Sequence, residues 1–505
     1  MFGIPYPKKI LFALVLVFIF CSSFVALWSL VGSHTLGWDE AVYLTKARSW
    51  AEGTPADEFR PYRPIAMPAF GWIFLHFGDT EEILRLFGAL FGAVTLVFLF
   101  LLFRSITNSW VALSIVYSVG TSSLFLQQAP QFLNDIPSSG LLFGILWLIW
   151  KYYKTEGENK SILLAAPLAA LAFYLRYGVV LSLGFIGIVS LLLLWRKFAG
   201  KEGTNFSVLA KTFAVFAAFM LPHGIHSFIV EGSALGILRS GSTAGGREYL
   251  GEGLLNYIQW LPSALAGPLV GASTILGIAV TLAIIFRRNL RQNYEGLLWL
   301  GSIGMLSFFF TGLLVHAEAR YVFFPVALLS GVGIAGVYFL LKKVRLQVVG
   351  IGLFALATLL FGVFNYQEAA TIVKEKETDI SRNEYRETYR AILQNKPKEE
   401  KCVVWSIDYL PQISWYTQCN TLRIAETKNM IVFPNDPLVT PKGAHYSIVF
   451  TKSEDGQIQP DNAERYGAFL TQIHRSREFP LFIGRGQATV YRMQPKKSPV
   501  RQITP

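Results

Sequence analysis

The chain has 505 residues, 52% of them hydrophobic and 15% charged, with a formal net charge of +12 and a mean hydropathy of +0.42. A soluble domain carries about 25% charged residues, so composition excludes a wholly soluble globular protein and places much of the chain in lipid. The three cysteines are too few for a disulfide scaffold or a typical zinc module. The basic excess needs no nucleic acid, because lysine and arginine retained on the cytoplasmic side of a membrane account for it.

The first apolar run, Ile10–Val31, follows Lys8 and Lys9. It begins like a signal peptide, but a length of about 20 residues suits a span better than a signal core, and more apolar runs follow. It reads as an uncleaved first helix. Further spans are predicted at Ile83–Phe103, Trp110–Gln127, Ile136–Tyr152, Ser161–Leu175, Gly178–Trp195, Thr212–Val230, Leu265–Phe286, Gly296–Val315, Tyr321–Leu341 and Val348–Phe364, about eleven in all. With the N-terminus inside, the inner segments carry Lys8, Lys9, Arg104, Lys151, Lys154, Lys160, Arg196, Lys197, Lys201, Lys211, Arg287, Arg288, Arg291, Lys342, Lys343 and Arg345. The short outer loops carry Arg176, Arg239, Arg247 and Arg320. That asymmetry sets the orientation and leaves two large segments outside, one from Gly32 to about Glu82 and one from about Tyr366 to Pro505. The expected division is a transmembrane module over 1–365 and an outer domain over 366–505.

The first outer loop opens Thr35-Leu36-Gly37-Trp38-Asp39-Glu40-Ala41-Val42-Tyr43-Leu44-Thr45-Lys46-Ala47-Arg48. Asp39 stands at the predicted start of a helix, where it can serve as an N-cap. The helix reads as amphipathic, with Trp38, Val42, Leu44, Thr45 and Trp50 on an apolar side and an aromatic anchor at the interface. Asp39 and Glu40 would then sit at the depth of a lipid phosphate, with Lys46 on the same helix. The loop continues Arg60-Pro61-Tyr62-Arg63-Pro64. Proline fixes the backbone there, and two guanidiniums at headgroup level can clamp a phosphate or meet anionic headgroups in general.

In the second outer turn Asp135 begins the fourth span. An acid favours the positive end of the helix dipole and Pro137 suits the first turn, so capping alone could explain it, but it shares the outer face with Asp39. Arg176-Tyr177 joins the fifth and sixth spans. His223 and His226, three apart near the outer end of the seventh, lack a clear third ligand and read as packing or hydrogen-bonding residues. His316-Ala317-Glu318-Ala319-Arg320-Tyr321 fills a very short outer loop before the tenth span. Ionisable groups near membrane depth usually face a cavity or pair with one another, and a Glu318–Arg320 pair is the plain structural alternative. The sequons at Asn159 and Asn205 fall in predicted inner loops.

The C-terminal segment alternates: a strand at Cys402–Ser406, a helix at Tyr409–Thr417, a strand at Cys419–Ile424, a strand at Tyr446–Phe450, a helix around Ala463–His474, and apolar runs at Phe479–Ile483 and Ala488–Arg492. This is the pattern of a small α/β domain. Cys402 and Cys419 would each start one of two successive strands, level with one another if the strands pair in parallel. A compartment outside the cytoplasm permits a disulfide; two buried thiols are the alternative. No Walker loop, dinucleotide fingerprint or nucleophile elbow is present.

An Asp-Glu pair directly after the first span resembles the signature of the GT-C glycosyltransferases, in particular the protein O-mannosyltransferase and aminoarabinose transferase type. Asp135 before a proline is similar to that group's second acidic site, and Arg320-Tyr321 with Pro325 is similar to its late-span motif. The resemblance runs from Ile10 to about Gln367 and matches the C-terminal domain only loosely. It implies an α-helical polytopic membrane protein of GT-C type, with a small extracytoplasmic α/β domain, in the plasma membrane. It implies transfer of a sugar from a polyprenyl-phosphate donor to a protein, glycan or lipid acceptor outside the cytoplasm. Asp39 would then be the general base, with inversion at the anomeric carbon. Glu40 would support or substitute for it, and Asp135 would orient the acceptor or assist the acid site. Arg63, before Pro64, would neutralise the departing lipid phosphate. Arg60, Lys46, Tyr62, Arg176, His316, Glu318, Arg320 and Tyr321 are the remaining candidate substrate contacts. Aminoarabinose transferases have an acidic residue of a metal site where this chain has Tyr62. The resemblance therefore leaves a divalent metal open and assigns it no ligand here.

A transporter or flippase for a lipid-linked or anionic substrate is the competing reading. It would place charges near the bilayer midplane, often with internal repeats. Here the span interiors are largely free of charge, and the ionisable residues gather at one face. A scaffold or sensor would explain the outer domain but not the ionisable residues of the short outer turns.

Overall fold

The computed structural model describes residues 6–198, 206–243, 248–343, 345–378, 380–396, 401–423, 425–427, 430–432, 443–452, 468–477, 479–480 and 485–495. Lys201, Asn205, Arg247, Ile424 and residues 463–467 and 481–483 lie outside the described residues. In chain order the helices are α1 (Tyr6–Trp28), α2 (Trp38–Glu52), α3 (Ala66–Leu75), α4 (Glu81–Ile106), α5 (Ser109–Gly120), α6 (Ser123–Gln128), α7 (Asp135–Lys154), α8 (Ala165–Leu175), α9 (Val180–Phe198) and α10 (Phe206–Glu231). Then come α11 (Gly236–Thr243), α12 (Glu252–Trp260), α13 (Pro268–Phe286), α14 (Arg288–Asn293), α15 (Glu295–Leu314), α16 (Phe323–Lys343), α17 (Gln347–Thr378), α18 (Ile380–Asn395) and α19 (Leu410–Thr417).

The chain is a multi-pass α-helical membrane protein. Among the described residues, eight helices are long and apolar enough to cross a membrane: Lys9–Trp28, Glu81–Ile106, Tyr177–Phe198, Ser207–Glu231, Pro268–Phe286, Glu295–Leu314, Ala319–Lys343 and Gly352–Thr378. Apolar runs in lipid become helices because no water is there to satisfy the backbone. These eight answer eight of the predicted spans; of the other three, one is a continuous helix with more polar residues and two are interrupted or shorter. Trp110–Gln127 is broken after Gly120, and a new helix starts behind Ser122, whose hydroxyl accepts the Phe125 N–H at 3.3 Å. Ile136–Tyr152 forms the 20-residue α7, which carries Asp135, two serines and two lysines and is buried over most of its length. Ser161–Leu175 begins as a 3-10 turn and continues as an 11-residue helix.

Two compact units divide the chain. The first holds Met1–Val31, Pro61–Met67 and Arg85–Thr371; the second holds Gly32–Arg60, Pro68–Leu84 and Ile372–Pro505. Most of the first outer loop thus folds in one unit with the C-terminal segment, and the later boundary falls inside α17. In the first unit, α13 and α16 approach until their backbones nearly touch. A Cβ on Gly277 would lie 1.9 Å from the Leu329 carbonyl, and one on Gly333 would lie 2.0 Å from the Ser273 carbonyl. The Ser273 and Ser330 hydroxyls meet across this seam at 2.6 Å. Small residues with a polar bridge are how helices associate where burial in lipid gives no drive.

The second unit is built on strands β1 (Cys402–Ser406), β2 (Asn420–Arg423), β3 (Ala425–Thr427), β4 (Met430–Val432), β5 (Ala444–Lys452), β6 (Ala468–Arg475), β7 (Phe479–Pro480) and β8 (Arg485–Pro495). The main sheet runs β2-β1-β5-β8-β6, with β7 also paired to β8. β1 is parallel to β2 and β5, while β8 is antiparallel to β5 and β6. Tyr389 and Ile392 of α18 and Ile413 of α19 fill one face with Val404, Tyr446, Ile448 and Val490. Cys402 opens β1 and Cys419 directly precedes β2. Their parallel register makes them level, and they form a disulfide.

One element of this domain is corrected. The helix expected around Ala463–His474 is, over its described part, strand β6. A bulge between Gln472 and His474 shifts the register against β8. Leu470 and Ile473 stand three apart, a helical spacing, yet they pack on opposite faces of the sheet, and the pairing with β8 decides the conformation.

Candidate active site

In the second unit, α2 begins at Gly37, an extended N-cap (φ −67°, ψ 169°), and ends at Gly53 in the left-handed region (φ 71°). Glu40 reaches back, and its Oε2 accepts the Gly37 N–H at 2.8 Å. This is half of a capping box, since glycine has no side chain to return the bond. Asp39 is therefore not the N-cap, as its position suggested, because the cap lies two residues earlier, at Gly37, and the helix starts at Trp38. It lies in the first turn, half-buried, where the helix dipole favours its charge. Glu40 is 2% exposed, a burial that a carboxylate tolerates only with bonding partners. The surface-lying amphipathic helix is also corrected. Ala41 to Thr45 are all buried, so α2 is enclosed on most sides and does not carry one apolar stripe. Lys46 is half-buried, with Nζ 5.9 Å from the Trp50 ring and 5.8 Å from that of Phe59. Arg60 is exposed.

The segment leading into α2 is sewn down by residues the sequence did not mark. Glu377 Oε1 accepts the Ser33 N–H at 2.7 Å, and Arg386 donates to the Ser33 carbonyl at 2.5 Å. The Tyr416 hydroxyl accepts the Leu36 N–H at 3.2 Å and donates to Glu81 Oε1 at 2.7 Å. Burial, and then the Glu81 carboxylate, push the Tyr416 hydroxyl well above its ordinary pKa. At the other end of α2, Arg48 is buried. Its guanidinium lies 3.5 Å from the Trp415 ring centroid, donates to the Trp415 carbonyl at 2.7 Å, and faces Asp79 at 3.6 Å and Glu52 at 3.9 Å. Burial lowers the Arg48 pKa, and the two acids oppose that shift.

The first unit holds the other candidates. Tyr62 and Arg63 are half-buried, with Arg63 Cζ 5.8 Å from the Tyr62 ring. Three breaks between helices converge around Asp135. Asn134 precedes α7 and donates to the Leu175 carbonyl at 2.9 Å, which brings Arg176, at the end of α8, over the start of α7. The 3-10 turn Ala319–Val322 supplies Arg320. Arg176 Nη1 lies 2.7 Å from Asp135 Oδ1, and Arg320 Nε lies 3.8 Å from Oδ2 and 2.5 Å from Glu318 Oε2. His316 Nε2 lies 3.1 Å from Glu318 Oε1. Tyr321 packs under both arginines, its ring 4.6 Å from Arg176 Cζ and 5.4 Å from Arg320 Cζ. The Glu318–Arg320 pair is thus present, and Asp135 and Arg176 join it. The Asp135 side chain is 2% exposed. Among the described residues neither of its oxygens has a hydrogen bond of ordinary geometry, so the contact with the two guanidiniums is chiefly one of charge.

Tyr257 of α12 was not foreseen. Its hydroxyl accepts the Glu318 N–H at 3.1 Å and faces the Glu318 carbonyl at 3.0 Å and the His316 carbonyl at 3.3 Å. This braces the loop that carries Arg320. Burial pushes its pKa up to about 12, so the hydroxyl stays protonated and donates. No local pattern marks Tyr257, because its partners lie some sixty residues away. His223 packs on Phe173 and Tyr177, each at 4.8 Å, the packing reading expected of it. Among the described residues no three His, Cys, Asp or Glu side chains gather as a metal site.

The sequence profile of the dolichyl-phosphate-mannose-protein mannosyltransferases matches residues 62–226. No curated protein matches the chain by sequence. The fold is similar to that of ArnT from Cupriavidus metallidurans bound to undecaprenyl phosphate, at 13% identity and TM-score 0.63, covering 96% of this chain and 98% of that one. The apo form of the same protein gives 13% and 0.64, covering 94% and 98%. The archaeal oligosaccharyltransferase AglB from Archaeoglobus fulgidus, in complex with an inhibitory peptide and a dolichol-phosphate, gives 12% and 0.58, covering 81% of this chain and 64% of that one. The chain has the GT-C fold that its motifs suggested.

Proposed function

We propose that this protein is a membrane glycosyltransferase that moves a sugar from a polyprenyl-phosphate donor to an acceptor outside the cytoplasm, with inversion at the anomeric carbon. The observation that carries the reading is the acidic turn at the head of α2 in a chain of GT-C fold. Asp39, in the first turn of α2 and half-buried, takes the role of general base, and Glu40, whose Oε2 accepts the Gly37 N–H, supports or substitutes for it. The ArnT and AglB structures were solved with undecaprenyl phosphate and dolichol-phosphate, which supports a lipid-phosphate donor here. The family profile supports mannose as the first sugar to try.

In the reaction the acceptor hydroxyl gives its proton to Asp39 as its oxygen attacks the anomeric carbon from the face opposite the phosphate. The bond between that carbon and the phosphate oxygen breaks, and polyprenyl phosphate leaves with the electron pair. Arg63, before Pro64, neutralises the departing phosphate, the charge stabilisation such a step needs. Asp135, fixed between Arg176 and Arg320, orients the acceptor or assists the acid site. Orientation inward of the N-terminus and outward of the second unit follows from the lysine and arginine distribution.

A transporter reading is not favoured. Among the described residues the buried charged side chains are Glu40, Arg48, Glu81, Arg85 and Asp135. Glu81, Arg85 and Asp135, which lie in long helices, stand in the first or second turn of theirs, not at mid-span where a transporter would use them. The test is transfer from tritiated undecaprenyl-phosphate mannose, and then from other undecaprenyl-phosphate sugars, in membranes carrying wild-type protein or Asp39→Asn.

A further inference from the structure

The geometry points to α19 of the C-terminal domain as a clamp that sets the position of the catalytic turn, with Tyr416 as its principal positioning residue. This rests on the reading of Asp39 as the base. A residue that must meet a hydroxyl at hydrogen-bond distance gains from a rigid support, and a misplacement of about 1 Å can cost a hundredfold in rate. The head of α2 has no side-chain N-cap to fix it, because Gly37 stands there. Beyond the bond from the Gly37 N–H to Glu40, its support comes from residues about 380 positions further along the chain. The Tyr416 hydroxyl accepts the Leu36 N–H, one residue before the cap, and is itself aimed by donation to Glu81. With its amide oriented so that both atoms find complementary partners, Gln412 accepts the Trp38 N–H at 3.3 Å and donates to the Tyr409 carbonyl at 3.2 Å. The first amide of α2 is thereby satisfied by α19. The far end of α2 is held by the same short helix, through the stack and hydrogen bond of Arg48 on Trp415.

One eight-residue helix therefore grips both ends of the helix that carries Asp39. α19 in turn lies within the loop closed by the Cys402–Cys419 disulfide, which holds its two ends to neighbouring parallel strands. The C-terminal domain is thus a working part of the transferase, and its disulfide supports the base from a distance.

The test uses the full-length protein in lipid nanodiscs. Hydrogen exchange is read on peptides covering 33–44 and on strand β5 as an internal control, beside turnover with the tritiated donor. Tyr416→Phe is expected to speed exchange at the head of α2 about tenfold, the loss of one buried hydrogen bond. Turnover should fall about tenfold in kcat, with the KM for the lipid donor unchanged and β5 as protected as before. Cys402→Ser with Cys419→Ser should loosen the same segment. If Tyr416→Phe exposes β5 as well, Gln412→Ala is read in its place with the same expectations. Unchanged exchange over 33–44, or faster exchange with unchanged kcat, overturns the clamp. Asp39→Asn, measured in parallel, separates the two claims. Activity in that variant removes the base assignment, while the exchange data still judge the clamp.

Discussion

Arg176→Gln tests the buried charge cluster at its centre. The substitution removes a guanidinium whose Nη1 lies 2.7 Å from Asp135 Oδ1 and leaves Arg320 Nε 3.8 Å from Oδ2. At an effective dielectric of about 20, Coulomb's law gives about 6 kcal/mol for the first contact and about 4 kcal/mol for the second. Desolvation offsets much of both. Removing one partner of a buried pair costs about 3–5 kcal/mol, and with Arg320 still in place the lower end applies. Asp135→Asn added to Arg176→Gln removes the stranded carboxylate, so the double variant should be more stable than the sum of the single losses by about 2 kcal/mol. The assay is a double-mutant cycle of unfolding in mixed micelles, followed by tryptophan fluorescence, with Arg176→Lys as a variant that keeps the charge. Additive losses would show that Arg176 and Asp135 do not balance one another.

Tyr257→Phe should cost about 1–3 kcal/mol at neutral pH, because the Glu318 N–H loses its partner. It should also alter the alkaline limb of stability. Burial raises the Tyr257 pKa from 10.0 to about 12, so its contribution is complete below pH 10 and is lost as pH rises through 12. The wild type should therefore shed about 2–3 kcal/mol across that range which Tyr257→Phe does not; parallel curves would contradict the assignment. Gly277→Ala should destabilise by at least about 1–3 kcal/mol, since its new methyl group would meet the Leu329 carbonyl at 1.9 Å. Gly184→Ala, with open space around it, should gain about 0.5–1 kcal/mol from helix propensity. Unfolding of the two variants in the same micelles checks the pair, and equal effects would refute the close seam between α13 and α16.

The long spans were legible because lipid imposes one rule, internal satisfaction of the backbone, on about 20 residues at a time. The rule weakened where protein replaced lipid. α7 is sheathed by its neighbours and tolerates Asp135 and serines, and the run after Ser109 breaks at Gly120. The acidic turn was legible as a motif, but its local geometry was not. A glycine N-cap gives no side-chain signal, so Asp39 was placed at the cap where Gly37 stands, with Glu40 reaching back to its N–H. In β6 two apolar residues three apart, Leu470 and Ile473, hid a strand behind helical spacing. What the sequence hid most completely is the support of the site. Tyr257 reaches Glu318 across 61 residues, and Tyr416 reaches Leu36 across 380. No window of local pattern spans such distances, and an isolated tyrosine carries no mark of the amide it will meet.

The central claim is that Asp39 takes the acceptor's proton. Its most direct measurement is the single-turnover rate of sugar transfer from tritiated undecaprenyl-phosphate donor in nanodiscs holding wild-type or Asp39→Asn protein, with donor binding measured in the same samples. General-base catalysis contributes about 10²–10⁴-fold, so the asparagine variant should bind donor as the wild type does and transfer sugar at least about a hundredfold more slowly. Transfer at the wild-type rate would contradict the account.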